Sequence, residues 1–278
     1  HSGTGNFYIY GNGVSDLVLR ADPNKESIKC IHDAAVSLYY DNALKFETTQ
    51  SGVSVPISTS GHGPAITTTG DVYPQITLGA NRSSENNSLG YVVARWNTAD
   101  VAAIDFVAGA DTTNKDDGKI GFNTRPSGGG MTRRMTIDSN GYVTTPNQPR
   151  FCAEKNGSGS TTTTANATQV FQSEAFDIGG HYNNSTGVFT APVAGCYYFY
   201  VQMLGGNNDS RVILTFNKNN SSNLMEISGT TDNYNSIKGS LLVSLAANDT
   251  MRIKNENSTV DLYHDSGYQN QFMGWLVA

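Results

Sequence analysis

The sequence predicts an all-β protein: a repetitive trimeric β-stem followed by a ten-stranded jelly-roll β-sandwich head. Three observations predict it. Ser, Thr, Asn and Gly crowd a chain of 278 residues that is 37% hydrophobic and 15% charged. Apolar and polar residues alternate over short runs, the period of a half-buried strand. Between those runs stand turn residues, among them many of the 29 glycines, which supply conformations other residues resist.

The first half carries a weak internal repeat. Leu44-Lys45-Phe46-Glu47-Thr48-Thr49-Gln50-Ser51-Gly52-Val53-Ser54-Val55 is one copy, and Arg134-Met135-Thr136-Ile137-Asp138-Ser139-Asn140-Gly141-Tyr142-Val143-Thr144 is another. Each reads strand, polar turn closing on Gly, strand. Asn140-Gly141 signals a hairpin because both residues tolerate positive φ. Further strands are expected at 16–20, 37–40, 75–78, 89–96, 103–108 and 119–123. Residues 26–36 also fit a short amphipathic helix, but Tyr39-Tyr40 and the alternation downstream favour strands there. These units have few large apolar residues, too few for a free-standing core. Stacking on each other, or wrapping with identical chains, would supply the missing burial.

Pro146 and Pro149 mark a joint near Gln148, since proline leaves a central strand without its donor. The expected domains are therefore a stem, 1–147, and a head, 148–278. In the head, 157–168 reads as a polar surface loop. Strands are expected at 151–153, 170–176, 211–217, 224–227, 237–245, 250–254, 260–264 and 271–277. The last strand is apolar on both faces, with Phe272, Gly274 and Leu276 opposite Met273, Trp275 and Val277. That pattern suits one face in the core and one in a subunit contact. Phe189, Gly195, Tyr197, Phe199, Phe272, Gly274 and Trp275 are expected to build the core of the head, with Gly195 in a turn and Gly274 at a close backbone approach.

Two resemblances follow from these residues. Ser37-Leu38-Tyr39-Tyr40-Asp41-Asn42-Ala43-Leu44-Lys45-Phe46-Glu47-Thr48-Thr49 resembles repeats in tail fibres of tailed marine (cyanophage-like) bacteriophages. Ile120-Gly121-Phe122-Asn123-Thr124, with Arg134 to Gly141, resembles the segment before the tip in many phage fibres. The head resembles the globular domain of complement component 1q, itself similar to tumour necrosis factor. Thr186-Gly187-Val188-Phe189-Thr190-Ala191-Pro192, Gly195-Cys196-Tyr197-Tyr198-Phe199 and Phe272-Met273-Gly274-Trp275-Leu276 carry that resemblance. It implies a ten-stranded jelly roll that forms tight trimers. The family's collagen-like stalk is absent, which argues for a viral or bacterial fibre.

Several function classes are disfavoured. The net charge is −6 and the basic residues are scattered, so no basic face for nucleic acid is expected. No apolar run approaches the ~18 residues of a membrane span, and no signal-peptide pattern opens the sequence. Cys30, Cys152 and Cys196 are odd in number and widely spaced, which disfavours a disulfide framework and fits assembly in a reducing compartment such as a host cytoplasm. The five histidines form no metal-binding spacing; His62, between two glycines, is the most permissive for an axial ion, and an ordinary loop histidine is the preferred reading. Asp116-Asp117 reads as a turn, and no nucleophile elbow or phosphate loop occurs. No enzyme activity, cofactor or metal is therefore expected.

What remains is binding. Polar, Asn-rich head loops present Asn207, Asn208, Asp209, Asn219, Asn220, Asp232, Tyr234 and Tyr268, side chains suited to sugar or protein recognition. The expected protein is a homotrimeric phage tail fibre, a virion component whose head attaches to a host-surface glycan or protein. The alternative is a purely structural fibre or adhesin segment whose head only drives trimerisation.

Overall fold

A computed structural model describes residues 16–57, 64–71, 73–157, 159–206, 211–256, 260–264 and 269–278. The chain divides into two compact units, 1–77 and 78–278. Among the described residues, all regular structure is β-strand except one 3-10 turn, Asp232–Tyr234.

The first unit holds a five-stranded antiparallel meander: β1 (Leu17–Asp22), β2 (Lys25–Cys30), β3 (Val36–Tyr40), β4 (Ala43–Thr49) and β5 (Gly52–Ser54). Residues 26–36 are thus strand and turn, not helix. Asp41 and Asn42 both take positive φ, which closes the β3–β4 hairpin tightly and pairs Tyr40 with Ala43. Ser37 is fully buried and donates to Glu47 across the ladder at 3.2 Å.

The second unit begins with another meander: β6 (Ser88–Trp96), β7 (Ala99–Ala108), β8 (Gly118–Thr124), β9 (Thr132–Ile137) and β10 (Val143–Thr144). The strand expected at 75–78 does not form. Instead, Leu78 Cβ lies 2.8 Å from the place a side chain at Gly90 would occupy, so glycine there makes room for packing. At the β9–β10 turn only Gly141 takes positive φ, 84°. Asn140 does not need it, because the Asp138 carboxylate accepts from the Asn140 and Tyr142 amides, both at 2.9 Å, in a wider turn.

The two faces of this meander differ. Register places Val92, Ile104, Phe122 and Met135 in one row and Phe106, Ile120 and Ile137 in the next. This face is apolar, and Val92, Ile104 and Ile120 are exposed on it. The opposite face carries Asp105, nearly fully buried, paired with Arg133 Nη2 at 2.7 Å. Gly121 leaves space for that reach, since a Cβ there would sit 2.8 Å from Arg133 Nε.

The head is a two-layer sandwich. Its larger sheet runs β12 (Gly159–Thr163), β21 (Val260–His264), β16 (Gly195–Gly205), β22 (Gln271–Leu276), β11 (Arg150–Glu154) and β13 (Ser173–Ile178), with β19 (Ser236–Leu245) on the other edge of β16. The smaller sheet runs β14 (Tyr182–Asn183), β15 (Val188–Thr190), β20 (Thr250–Asn255), β17 (Arg211–Lys218) and β18 (Ser222–Thr230). Residues 157–168, expected as a loop, contain β12, because β21 offers a ladder to pair with from Gly159–His264 to Thr163–Val260. The strand expected at 170–176 begins only at Ser173, and Phe171 before it is fully buried.

The inner faces of the two sheets meet in an aromatic core. Phe151, Phe171, Phe189, Tyr197, Phe199 and Phe272 are at most 1% exposed. Phe151 stacks on Tyr182 at 4.8 Å and meets Phe272 edge-on at 5.0 Å. Gly274 sits where a Cβ would come within 2.5 Å of Phe199. Two assignments need correction. Trp275 is 40% exposed and stands on the outer face, its ring tilted by 40° against Tyr198 with centroids 4.6 Å apart, because strand alternation sends Phe272 and Gly274 inward and Trp275 outward. Gly195 lies in strand β16, not a turn; a Cβ there would meet Leu276 at 2.6 Å and the Ala278 carbonyl at 2.7 Å.

Candidate functional site

The chain enters the head at one end of the sandwich. Arg150 pairs with Trp275, Leu276 N–H donates to Pro149 O at 3.0 Å, and Cys196 N–H donates to Ala278 O at 2.7 Å. The 246–249 loop belongs to this end, since Leu245 pairs with Gly195. So does the 218–223 turn, where Asn219 and Asn220 take φ of 54° and 56°, the left-handed pair of a tight hairpin.

Asn219 is committed to structure there. Its Nδ2 donates to Asp249 Oδ1 at 2.7 Å, and its Oδ1 accepts from Thr250 N–H at 2.7 Å. Asp249 also accepts from Ala246 N–H at 2.8 Å and pairs with Lys218 at 2.6 Å. These partners, Asn219 first and then Lys218 and Ala246, hold the Asp249 carboxyl down at about 2. A depressed folded-state value means stability that is present above the unfolded value of 3.8 and lost as pH falls through the folded one. Acid titration of the wild type is therefore expected to loosen this turn between about 3.8 and 2. Hydrogen exchange across 246–250 in the Asp249→Asn variant should lose that step; a step unchanged in the variant would assign it to another carboxylate.

A polar groove of 650 Å³ runs beside this end, lined by His181, Asn183, Asn184, Ser185, Pro192 and Asn248 among others. Asp177 braces it, accepting from the His181 amide at 3.1 Å and the Tyr182 amide at 2.9 Å.

The opposite end gathers other loops. β16 finishes at Gly205, which accepts no side chain because Thr231 Cα lies 2.6 Å from its would-be Cβ. Gly205 N–H donates to Asn235 O at 2.9 Å, holding the 231–235 turn in place. Asp232 opens that turn and Tyr234 closes it. Leu204 pairs with Tyr263 and with Ser236 and donates its N–H to Asn270 Oδ1 at 2.7 Å. Asn207, Asn208, Asp209 and Tyr268 lie outside the described residues, as does His62.

The loop residues named from the sequence therefore do not form one surface. Asn219 and Asn220 belong to the end where the chain enters, and Asp232 and Tyr234 to the other. The sequence reading missed Asp261 and Tyr263, which flank fully buried Leu262 on β21. Their signal was available in the alternation Val260-Asp261-Leu262-Tyr263-His264.

Among the described residues, no three His, Cys, Asp or Glu side chains are grouped to hold a metal ion. Asp117 lies not in a turn but in the loop just before β8, where it is occupied in accepting from the Ala110 and Asp111 amides at 2.9 and 3.1 Å.

Residues 151–277 match the C1q domain family. This part of the chain is similar to the C1q domain. Among solved structures, the globular domain of the zebrafish complement 1qA protein is 18% identical, covers 47% of this chain and 98% of its own, and superposes with a TM-score of 0.39. The Eiger TNF of S. frugiperda is 15% identical over 47% of this chain and 93% of its own, with a TM-score of 0.42. Murine APRIL is 11% identical over 47% of this chain and 99% of its own, with a TM-score of 0.38. The C1q-like domain accounts for the aromatic core and for both loop-bearing ends. The meanders of 17–54 and 88–144 lie outside the matched residues.

Proposed function

We propose that this chain belongs to a homotrimeric attachment fibre of a tailed bacteriophage, located in the virion, whose C1q-like head contacts the host surface. The observation that carries the trimer is a row across the outer face of the head's larger sheet. Leu242 pairs with Tyr198 and Tyr198 with Trp275, and Leu242 and Trp275 are 60% and 40% exposed. Three bulky apolar side chains aligned across three strands need cover that one chain does not supply. The complement and tumour necrosis factor family forms trimers, which would bring three such rows together. The exposed Val92, Ile104 and Ile120 face adds a second surface of the same kind. The fibre reading rests on the resemblance of the first half to phage fibres and on a head whose fold family is non-enzymatic.

Leu242→Glu would place one carboxylate per chain in the subunit contact. Sedimentation is expected to show a trimer for the wild type and monomer for the variant, and a monomeric wild type would end the trimer reading. The attachment reading is tested by competition. Purified trimer should block adsorption of the phage to its host, and a trimer that labels no host cell leaves the purely structural fibre as the correct reading.

A further inference from the structure

The end of the head remote from chain entrance is shaped by two adjacent glycines. Gly205 lets the 231–235 turn seat against β16, and Gly206 leaves room for Asp261, whose Oδ2 lies 2.7 Å from a would-be Cβ. Along β21 the burial of Leu262 turns Asp261 and Tyr263 outward, onto one face and about 6–7 Å apart. Thr162, exposed, pairs with Asp261 across β12 and β21. Tyr234 takes φ of 56°, a region that bulky side chains rarely enter. Its ring nonetheless stays 46% exposed and packs edge-on against Tyr263 at 4.9 Å. The Asp261 carboxylate has no side-chain partner among the described residues.

We propose that Asp261, Tyr263, Tyr234 and Thr162 form a binding site for a neutral saccharide. A sugar presents apolar C–H faces, which suit the two tyrosine rings, and hydroxyls that both donate and accept. The carboxylate accepts from two such hydroxyls, and the Thr162 hydroxyl answers either role. Asp261, on a chain of net charge −6, disfavours anionic sugars. The strained backbone at Tyr234 holds the ring where the platform needs it. This proposal rests on the reading of the head as the host-binding part.

The test uses the full chain on a printed array of defined neutral and anionic oligosaccharides, with labelling of host cells in parallel. Tyr234→Gly removes the ring while suiting the positive φ. Asp261→Asn keeps the shape and removes the charge. Both variants are expected to weaken binding to neutral oligosaccharides at least tenfold, while Ala247→Ser, an exposed position in the 246–249 loop at the opposite end, leaves it unchanged. Preference for anionic sugars, or binding indifferent to both variants, overturns the site. Cell labelling without any binding to the array overturns the site and leaves the attachment reading standing. Binding to neutral sugars through these residues without cell labelling keeps the site and overturns the attachment reading.

Discussion

Phe151→Ala is expected to destabilise the C1q-like domain by about 3–5 kcal/mol. Phe151 is 1% exposed and lies at the middle of the ring cluster, 4.8 Å from Tyr182, 5.1 Å from Phe189 and 5.0 Å from Phe272. The cavity left behind would not close easily. One wall is Gly274, which has no side chain to move into it, and the surrounding rings are rigid and held from both sheets. Lost transfer energy and lost packing therefore add. Guanidinium unfolding of the full chain, followed by near-ultraviolet circular dichroism of the aromatic residues, gives the measurement. Phe151→Leu should recover part of the loss. A midpoint unchanged in Phe151→Ala would mean that the cluster does not carry the stability of the head.

Arg133→Met is expected to have the second large effect, about 3 kcal/mol on the 88–144 meander. The Asp105 side chain is 3% exposed, and its partner Arg133 is 31% exposed. Removing the guanidinium leaves a carboxylate buried without its counter-charge, and Asp105 Oδ1 already has no hydrogen-bond partner. That penalty, rather than the lost attraction, sets the size of the effect. Replacing both residues, Asp105→Ala with Arg133→Met, should recover most of the loss, because no buried charge then remains. Hydrogen exchange of amides in β7, β8 and β9 reads the change directly. A cost below about 1 kcal/mol would place the pair with ordinary surface salt bridges.

The two effects fall on different kinds of architecture. Among the described residues, the buried apolar side chains outside the head are Ala103 and Val107 alone. The meanders are single layers whose stability depends on ladders, a buried ion pair and whatever covers their apolar face. The head has a core of its own. Among the described residues, buried apolar side chains are concentrated from residue 151 onward.

Legibility differed between the fold and the candidate site. Arg211–Lys218, Ser236–Leu245 and Val260–His264 were readable as strands because period-two alternation is a local property of the chain. Asn219 was not readable as a structural residue. Its amide bonds Asp249 and Thr250, 30 and 31 positions away, and nothing in the turn itself announces those partners. The far-end residues were half legible. Tyr234 stood out as an aromatic in a polar loop, whereas Asp261 gained meaning only beside Gly206 and Tyr263.

By itself the sequence determined the all-β class, most strand positions and the resemblance of residues 151–277 to the C1q domain, because composition, alternation and turn residues act over a few positions. Tertiary structure alone decided which of two apolar faces is core. Phe272 and Trp275 are equally apolar in one strand, and only the opposing sheet buries the first and leaves the second at 40% exposure. It also decided that polar residues 159–163 form a strand, since the partner at 260–264 supplies the ladder. Strand pairing joins residues far apart in the chain, so its register and the side it buries are properties of the assembled layers.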